Sequence, residues 1–505
     1  MKRLGLGVTV VSIVVAFSGC SSSSDSPGST EFSGPATAEL GDGISSAMLE
    51  GHSPTSVLVY LKGSADLTPA ALSAASSREE RGVLVNTRLR EHAKSSQKSL
   101  LDWLSRQRIE AQSFHIVNAV LVNDASPGLL RKIAARSDVE KVIVDKPVAL
   151  TRVPNDDAVE ANAVSSVGSN ITATGAPRVW NELHFNGAGV VVGGQDTGVD
   201  WTHPALKSHY RGWNGTTADH RYSWHDAIRS GSGGNSCGYN LSAPCDDDQH
   251  GTHTMGTIVG DDGASNQIGM APGAKWIACR NMDAGTGKPS TYIECSQWFL
   301  APYPQGADPS TGDPSKRPDV INNSWGCPSS EGCSGSDLVP AIHALAAAGV
   351  VFVASAGNDG SACSTIQDQP ATDSADTLSV GAYSHTAGTI ASFSSRGPSK
   401  LDNKVGPDVS APGVSIRSSV PGGSYAGGWS GTSMAGPHVV GEVALLISAV
   451  PSLRGNVAGI TQAITGTATP KTSTQTCGGV SGSTIPNNTW GYGIIDAYKA
   501  VSSKL

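Results

Sequence analysis

Val190-Val191-Val192-Gly193-Gly194-Gln195-Asp196-Thr197-Gly198-Val199-Asp200 is the stretch on which the fold turns. Residues 190–194 form a short, continuous apolar run, the pattern of a strand covered on both faces in a parallel sheet. A carboxylate follows at once, and Gly198 lets the chain turn away behind it. In doubly wound sheets, ligands and reacting groups gather at the carboxyl ends of strands. Outward from this stretch the pattern repeats. Strands are predicted over 276–278, 320–322, 350–354 and 378–382, with helical periodicity over 292–300, 337–348 and 433–449. That alternation predicts an α/β fold with a doubly wound, mostly parallel sheet over residues 170–505. No internal repeat is present.

Two further segments carry chemistry. His250-Gly251-Thr252-His253-Thr254-Met255-Gly256-Thr257 reads as the start of a helix packed through small residues. Ser433, in Gly431-Thr432-Ser433-Met434-Ala435-Gly436-Pro437-His438, stands at the entry to an apolar helix. Unpaired N–H groups and partial positive charge at a helix start favour an oxyanion there. A serine nucleophile needs an imidazole to take its proton and a carboxylate to orient that imidazole. Each segment has a plainer reading: a turn aspartate, an N-cap serine. Asp-Thr-Gly also marks aspartic proteases, whose chemistry needs a second carboxylate. No second Asp-Thr-Gly occurs, and His250 and Ser433 would then have no role. A metal at His250 and His253 lacks the glutamate of His-Glu-x-x-His.

In the chain order Asp, His, Ser, these segments together resemble the subtilisin-like serine proteases (subtilases), in their bacillopeptidase F-like branch. The resemblance extends to Asn323-Ser324-Trp325-Gly326, Ala354-Ser355-Ala356-Gly357-Asn358-Asp359-Gly360, Phe393 to Pro398, Pro407 to Gly413 and Gly491-Tyr492-Gly493. It implies a serine endopeptidase with a subtilisin-like fold and the triad Asp196, His250 and Ser433. It further implies that Asn358 donates to the oxyanion and that His253 is structural. Ser324, Trp325 and Gly326 would form one substrate-cleft wall, and Ala354, Ser355, Ala356 and Gly357 the facing one. Trp325 reads equally well as a surface aromatic. The sequence also departs from the family. Asp196 and His250 are unusually far apart, with Cys237 and Cys245 in the extra loop. Ala205 stands where many subtilisins place a calcium-binding aspartate. No cofactor is expected for the chemistry, and the usual structural calcium site is not supported. Asp246-Asp247-Asp248 and Asp261-Asp262 read as calcium ligands of another kind or as solvated acidic loops.

The N-terminus reads as an address. Lys2 and Arg3 precede an apolar stretch over 4–17 that is short for a membrane span. Phe17-Ser18-Gly19-Cys20 resembles a bacterial lipobox with Cys20 lipidated; plain secretion is the alternative. Residues 1–20 are thus a signal peptide, 21–55 a Ser-, Gly- and Pro-rich tether, and 56–150 a small α+β unit. That unit has predicted strands at 56–62, 114–122 and 139–144 and a helical stretch over 78–108. Its position resembles that of a subtilase inhibitory propeptide; an unrelated binding domain is the other reading. Residues 151–169, polar and without periodicity, are the expected processing linker.

Composition fits an exported protein. Among 505 residues 60 are Gly and 15% are charged, and the net charge of −8 shows no basic stripe, which argues against a nucleic-acid partner. Setting Cys20 aside, eight of the nine cysteines remain, an even number for an oxidising compartment. Cys237/Cys245 and Cys327/Cys333 are close enough to pair locally. The expected protein is an extracytoplasmic monomer anchored to a membrane by lipid, acting on proteins or peptides and bound by its own propeptide. A catalytically dead, peptide-binding lipoprotein of the same fold is the rival.

Overall fold

A computed structural model describes residues 38–41, 44, 48–49, 53–153, 167–231, 235–373 and 375–505. The expected leader with Cys20, most of the tether, and residues 154–166 of the expected linker lie outside the described residues.

The N-terminal unit is a five-stranded sheet in the order β1 (Glu39–Leu40), β5 (Val139–Val144), β2 (Thr55–Leu61), β4 (Ala119–Ala125), β3 (Ala111–Phe114). Its two faces follow the period of two along each strand. Val57, Val59, Val120 and Val142 pack on one side with Leu100, Leu104, Leu130 and Ile133, which come from α2 (Lys98–Arg106) and α3 (Pro127–Ala134). Leu58, Tyr60, Leu121 and Ile143 face the other way and join the core of the larger unit.

Two expectations are corrected here. The helical stretch over 78–108 breaks at Gln97 into α1 (Arg78–Ser96) and α2. Gln97 is buried, and its amide donates to the Phe114 carbonyl (3.3 Å) and to Asn118 (3.2 Å), so the break ties the helices to the sheet. The single strand expected over 114–122 is a hairpin, because Asn118 takes a left-handed φ of 52° and its amide bonds the Leu61 and Gly63 carbonyls.

The larger unit is built on an eight-stranded sheet. Its central order is β14 (Thr377–Ser384), β13 (Val351–Ser355), β12 (Val320–Asn323), β7 (Val191–Asp196), β9 (Lys275–Arg280), β8 (Trp224–Asp226). These pairings are all parallel; β15 (Thr389–Ile390) adds antiparallel to β14, and β16 (Val409–Pro412) pairs parallel with it. Helices cover both faces. Val192, Val320 and Val353 pack with α4 (His250–Val259) and α7 (Thr432–Ala449). Ile277, Ile321 and Phe352 pack with α5 (Pro289–Leu300) and α6 (Val339–Ala347). The chain runs from β7 outward to β9 on one side and later to β12 on the other, so the order reverses beside β7. A crevice opens at such a reversal, and Asp196 is the last residue of β7.

All eight cysteines beyond Cys20 pair. Cys237–Cys245 and Cys327–Cys333 are the local bridges the spacing suggested, and Cys279–Cys295 and Cys363–Cys477 complete the set.

Candidate active site

Asp196 and His250 meet because two glycines let α4 approach the end of β7. Gly198 has φ +111°, and a Cβ there would collide with the Cys245 carbonyl; a Cβ on Gly251 would collide with the Gly198 carbonyl. Across this contact His250 Nδ1 lies 2.8 Å from Asp196 Oδ1, with both side chains almost fully buried. The carboxylate is held from two other directions, by the Thr197 N–H (2.7 Å) and the Thr254 hydroxyl (3.3 Å). Sequence reasoning passed over Thr254, although its place one turn after His250 puts it on the same helix face.

Ser433 lies in the first turn of α7, and its hydroxyl donates to the Ser324 carbonyl at 3.2 Å. It shares with His250 a cavity of about 270 Å³ that also contains Asn358 and Trp429. The Ser433 hydroxyl thus bonds the Ser324 carbonyl rather than His250; a serine–imidazole bond of this kind often forms only on the reacting substrate. The orientation of Asn358 is fixed chemically. Its Oδ1 accepts from the Thr432 N–H and hydroxyl, both at 2.9 Å. A backbone N–H can only donate, so Nδ2 must point the other way, into the cleft. His253 faces away from this chemistry: it stacks on Trp429 (centroids 4.5 Å, 9°), and burial with His250 nearby holds its imidazole down to about 3.

A strand of the same chain occupies the cleft. β6 (Val148–Ala149) pairs antiparallel with β11 (Thr286–Gly287), itself paired with β10 (Met282–Asp283), and Leu150 donates its N–H to the Gly285 carbonyl at 2.8 Å. The next carbonyl, of Thr151, lies 3.5 Å from Asn358 Nδ2. Beside Leu150 and Thr151 is a pocket of about 70 Å³ bounded by Ser324, Trp325 and Gly326 and by Ser355, Ala356 and Gly357. Ala354 is corrected: it is fully buried in β13 and faces the α5 side of the sheet, not the cleft. Trp325 is not a surface aromatic either, being buried and stacked on Tyr292 of α5 (centroids 4.0 Å, 10°). Also lining this pocket, Asp368 has its carboxyl pushed up to about 6 by burial, with Asp359 adding and Lys400 opposing.

The triple aspartate is not the solvated loop expected of it. Asp246 is buried; it accepts from the Thr197 hydroxyl (2.8 Å) and the Gln249 N–H (2.9 Å), and from Thr252 in the first turn of α4 (2.9 Å). It therefore caps the helix that carries His250, a role Gln249 leaves open. Asp247 pairs at 3.0 Å with Arg280, whose side chain is also buried, and burial raises its carboxyl to about 6. Among the described residues no group of three or more His, Cys, Asp or Glu is placed to hold a metal ion.

Comparison with known proteins accords with this geometry. The profile of the Subtilase family (Peptidase_S8) matches residues 187–493. Bacillopeptidase F of Bacillus subtilis (strain 168) is 35% identical over 453 residues, covering 86% of this chain and 29% of that protein. Subtilisin E of the same organism is 32% identical over 298 residues, 59% of this chain and 65% of that protein. An extracellular protease of Xanthomonas campestris pv. campestris is 30% identical over 349 residues, 64% of this chain and 54% of that protein. The chain thus spans less than two thirds of the length of each of these relatives.

Proposed function

The chain belongs to the subtilase family, and from that premise we propose that it is a serine endopeptidase that hydrolyses peptide bonds in proteins and is made as an autoprocessed precursor. Ser433 attacks the carbonyl, His250 takes the serine proton and passes it to the leaving amine, and Asp196 holds the imidazole in the required tautomer. Asn358 Nδ2 donates to the oxyanion, with Thr432 holding its amide in place. Substrate binds as an added strand against β11, so backbone hydrogen bonds supply affinity. The side chain before the cut enters the pocket bounded by Ser324, Trp325 and Gly326 and by Ser355, Ala356 and Gly357.

The observation that carries this reading is the chain's own segment in the cleft: residues 148–151 run as an extended strand that brings the Thr151 carbonyl to Asn358. On that ground residues 56–150 are the inhibitory propeptide and Thr151–Arg152 is the first bond cut, at the near end of the expected linker. Export with a lipid anchor at Cys20 into an oxidising compartment accords with four disulfides.

A fluorophosphonate probe tests the chemistry, and mass spectrometry of the mature N-terminus tests the maturation. The label is expected on Ser433, and the new N-terminus at Arg152. Self-processing that persists at the same bond in Ser433→Ala would mean another protease makes the cut.

A further inference from the structure

Asp248 has no part in the triad or in the capping of α4, yet it is the aspartate of the triple that meets the segment lying in the cleft. Its Oδ1 pairs with Arg152 Nη2, on the residue just beyond the Thr151 carbonyl. The Asp248 side chain is 15% exposed and that of Arg152 43%, so the carboxylate is largely covered while the guanidinium is exposed.

The carboxylate is held in a built position. Its own backbone N–H donates to Asp246 Oδ1 at 3.0 Å. One residue before it, Asp247 pairs with buried Arg280 and accepts the Ala284 N–H at 3.1 Å. Three residues before it, Cys245 closes a bridge to Cys237. On the far side Gly285 comes so close that a Cβ there would stand 2.8 Å from Asp248 Oδ2. Gly285 is also the residue whose carbonyl holds Leu150 in the cleft strand. The long loop between Asp196 and His250 thus fixes one carboxylate on the leaving-group side of the cut, in register with the strand that sets the substrate.

The geometry points to Asp248 as a specificity determinant: substrates with arginine or lysine immediately after the cut are preferred. This rests on the proposed endopeptidase reading and on Thr151–Arg152 as the bond presented. Arginine suits the site better than lysine, because its planar fork can meet both carboxylate oxygens.

The test uses the full chain after it has processed itself, with internally quenched peptides that differ only at the residue after the cut: Arg, Lys, Gln or Glu. The expected ranking of kcat/KM is Arg, Lys, Gln, Glu, with Arg over Gln by roughly three- to tenfold, the scale of a part-exposed ion pair. Raising NaCl from 50 to 500 mM should shrink that ratio. Asp248→Asn should bring the Arg-to-Gln ratio near one, and Asp248→Glu should restore part of it. Equal cleavage of the Arg and Gln peptides by the wild-type protein overturns the inference, as does a ratio that survives in Asp248→Asn. The wild-type ratio and its salt dependence decide the matter even if a variant fails to fold. If no peptide is cut and Ser433 takes no fluorophosphonate label, the endopeptidase reading itself has failed.

Discussion

Of the places where residues 55–153 meet the rest of the chain, two rest on different physics. One is the sheet face carrying Leu58, Tyr60, Leu121 and Ile143, which merges with α5 and α6 into a single apolar core. Polar groups there are paired across the boundary: Asp145 accepts the Ser290 N–H at the start of α5 (2.8 Å), and Lys141 meets Asp337 at 2.9 Å. The other is the cleft strand 148–152, where only Leu150 leans on that core and the chain is held by ladder bonds, the Thr151–Asn358 contact and the Arg152–Asp248 pair. The face supplies area, and is indifferent to whether the bond at 151 is intact. The strand supplies register, and on the proposed function its contacts are those a passing substrate would make. On the propeptide reading proposed above, a part that folds with the enzyme and blocks it needs both.

The largest expected effect breaks the strand's chemistry and leaves the face alone. Ser433→Ala should abolish labelling and lower casein cleavage about 10⁶-fold, the loss known for the serine of subtilisin, a member of this family. The protein should stay full length with the N-terminal unit docked, as judged by intact mass and unchanged resistance to added protease. Activity that survives and falls to pepstatin would return Asp196 to an aspartic mechanism. Asn358→Ala is next. It should cost about 10²–10³ in kcat with KM little changed, as the equivalent loss does in subtilisin, because the amide matters most once charge develops on the oxygen. A change confined to KM would make Asn358 a substrate-binding group only.

How much of this was legible in the sequence differs between the same two places. Motifs carried the candidate triad, because Asp196, His250 and Ser433 each stand beside residues their local geometry demands, Gly198 and Gly251 above all. Five strands of the parallel sheet, β7, β9, β12, β13 and β14, were legible from apolar runs within a residue or two of their ends, while β8 and β16, which also pair parallel, were not expected. The contacts that arm the site were not. Thr432 orients Asn358 across 74 residues, and Asp246 reaches Thr197 across 49. Such pairs leave no local pattern, and an acidic triplet looks solvated until buried Arg280 is placed beneath it. The hairpin at residue 118 was missed for a related reason: a left-handed asparagine inside an apolar run interrupts nothing that periodicity can detect.

The face is tested by truncation. Leu58→Ala removes a fully buried side chain that the N-terminal sheet lends to the shared core. Such truncations cost about 2–5 kcal/mol in all, here divided between the unit's own stability and its docking. The isolated variant unit, added in trans to mature enzyme, should therefore inhibit roughly tenfold to a hundredfold less well than wild type. Inhibition unchanged by this variant would mean that the strand alone carries the affinity, and the division of labour above would be wrong.

The smallest effect is a pH dependence that belongs to the face and not to the strand. His115, in the hairpin between β3 and β4, is buried; its backbone N–H donates to Gln297 of α5 at 2.8 Å, and its Nε2 lies 3.2 Å from Asn86. Burial, with Arg90 adding, holds its imidazole down to about 3, against an ordinary value of about 6.5. The docked state therefore favours the neutral ring. A free unit whose ring has regained its ordinary value takes up a proton as pH falls below about 6.5, and docking must expel it. Binding is thus at full strength above about pH 6.5 and weakens below it, by about tenfold at pH 5.5. Other groups at this boundary also titrate, Asp337 among them with a carboxyl raised by burial, so the comparison that isolates His115 is between variants. His115→Gln keeps a neutral polar side chain and should flatten the part of the inhibition-versus-pH curve between 6.5 and 5.5, while its inhibition at pH 8 stays near that of wild type. If both proteins lose affinity in parallel as pH falls, the acid sensitivity belongs to groups other than His115.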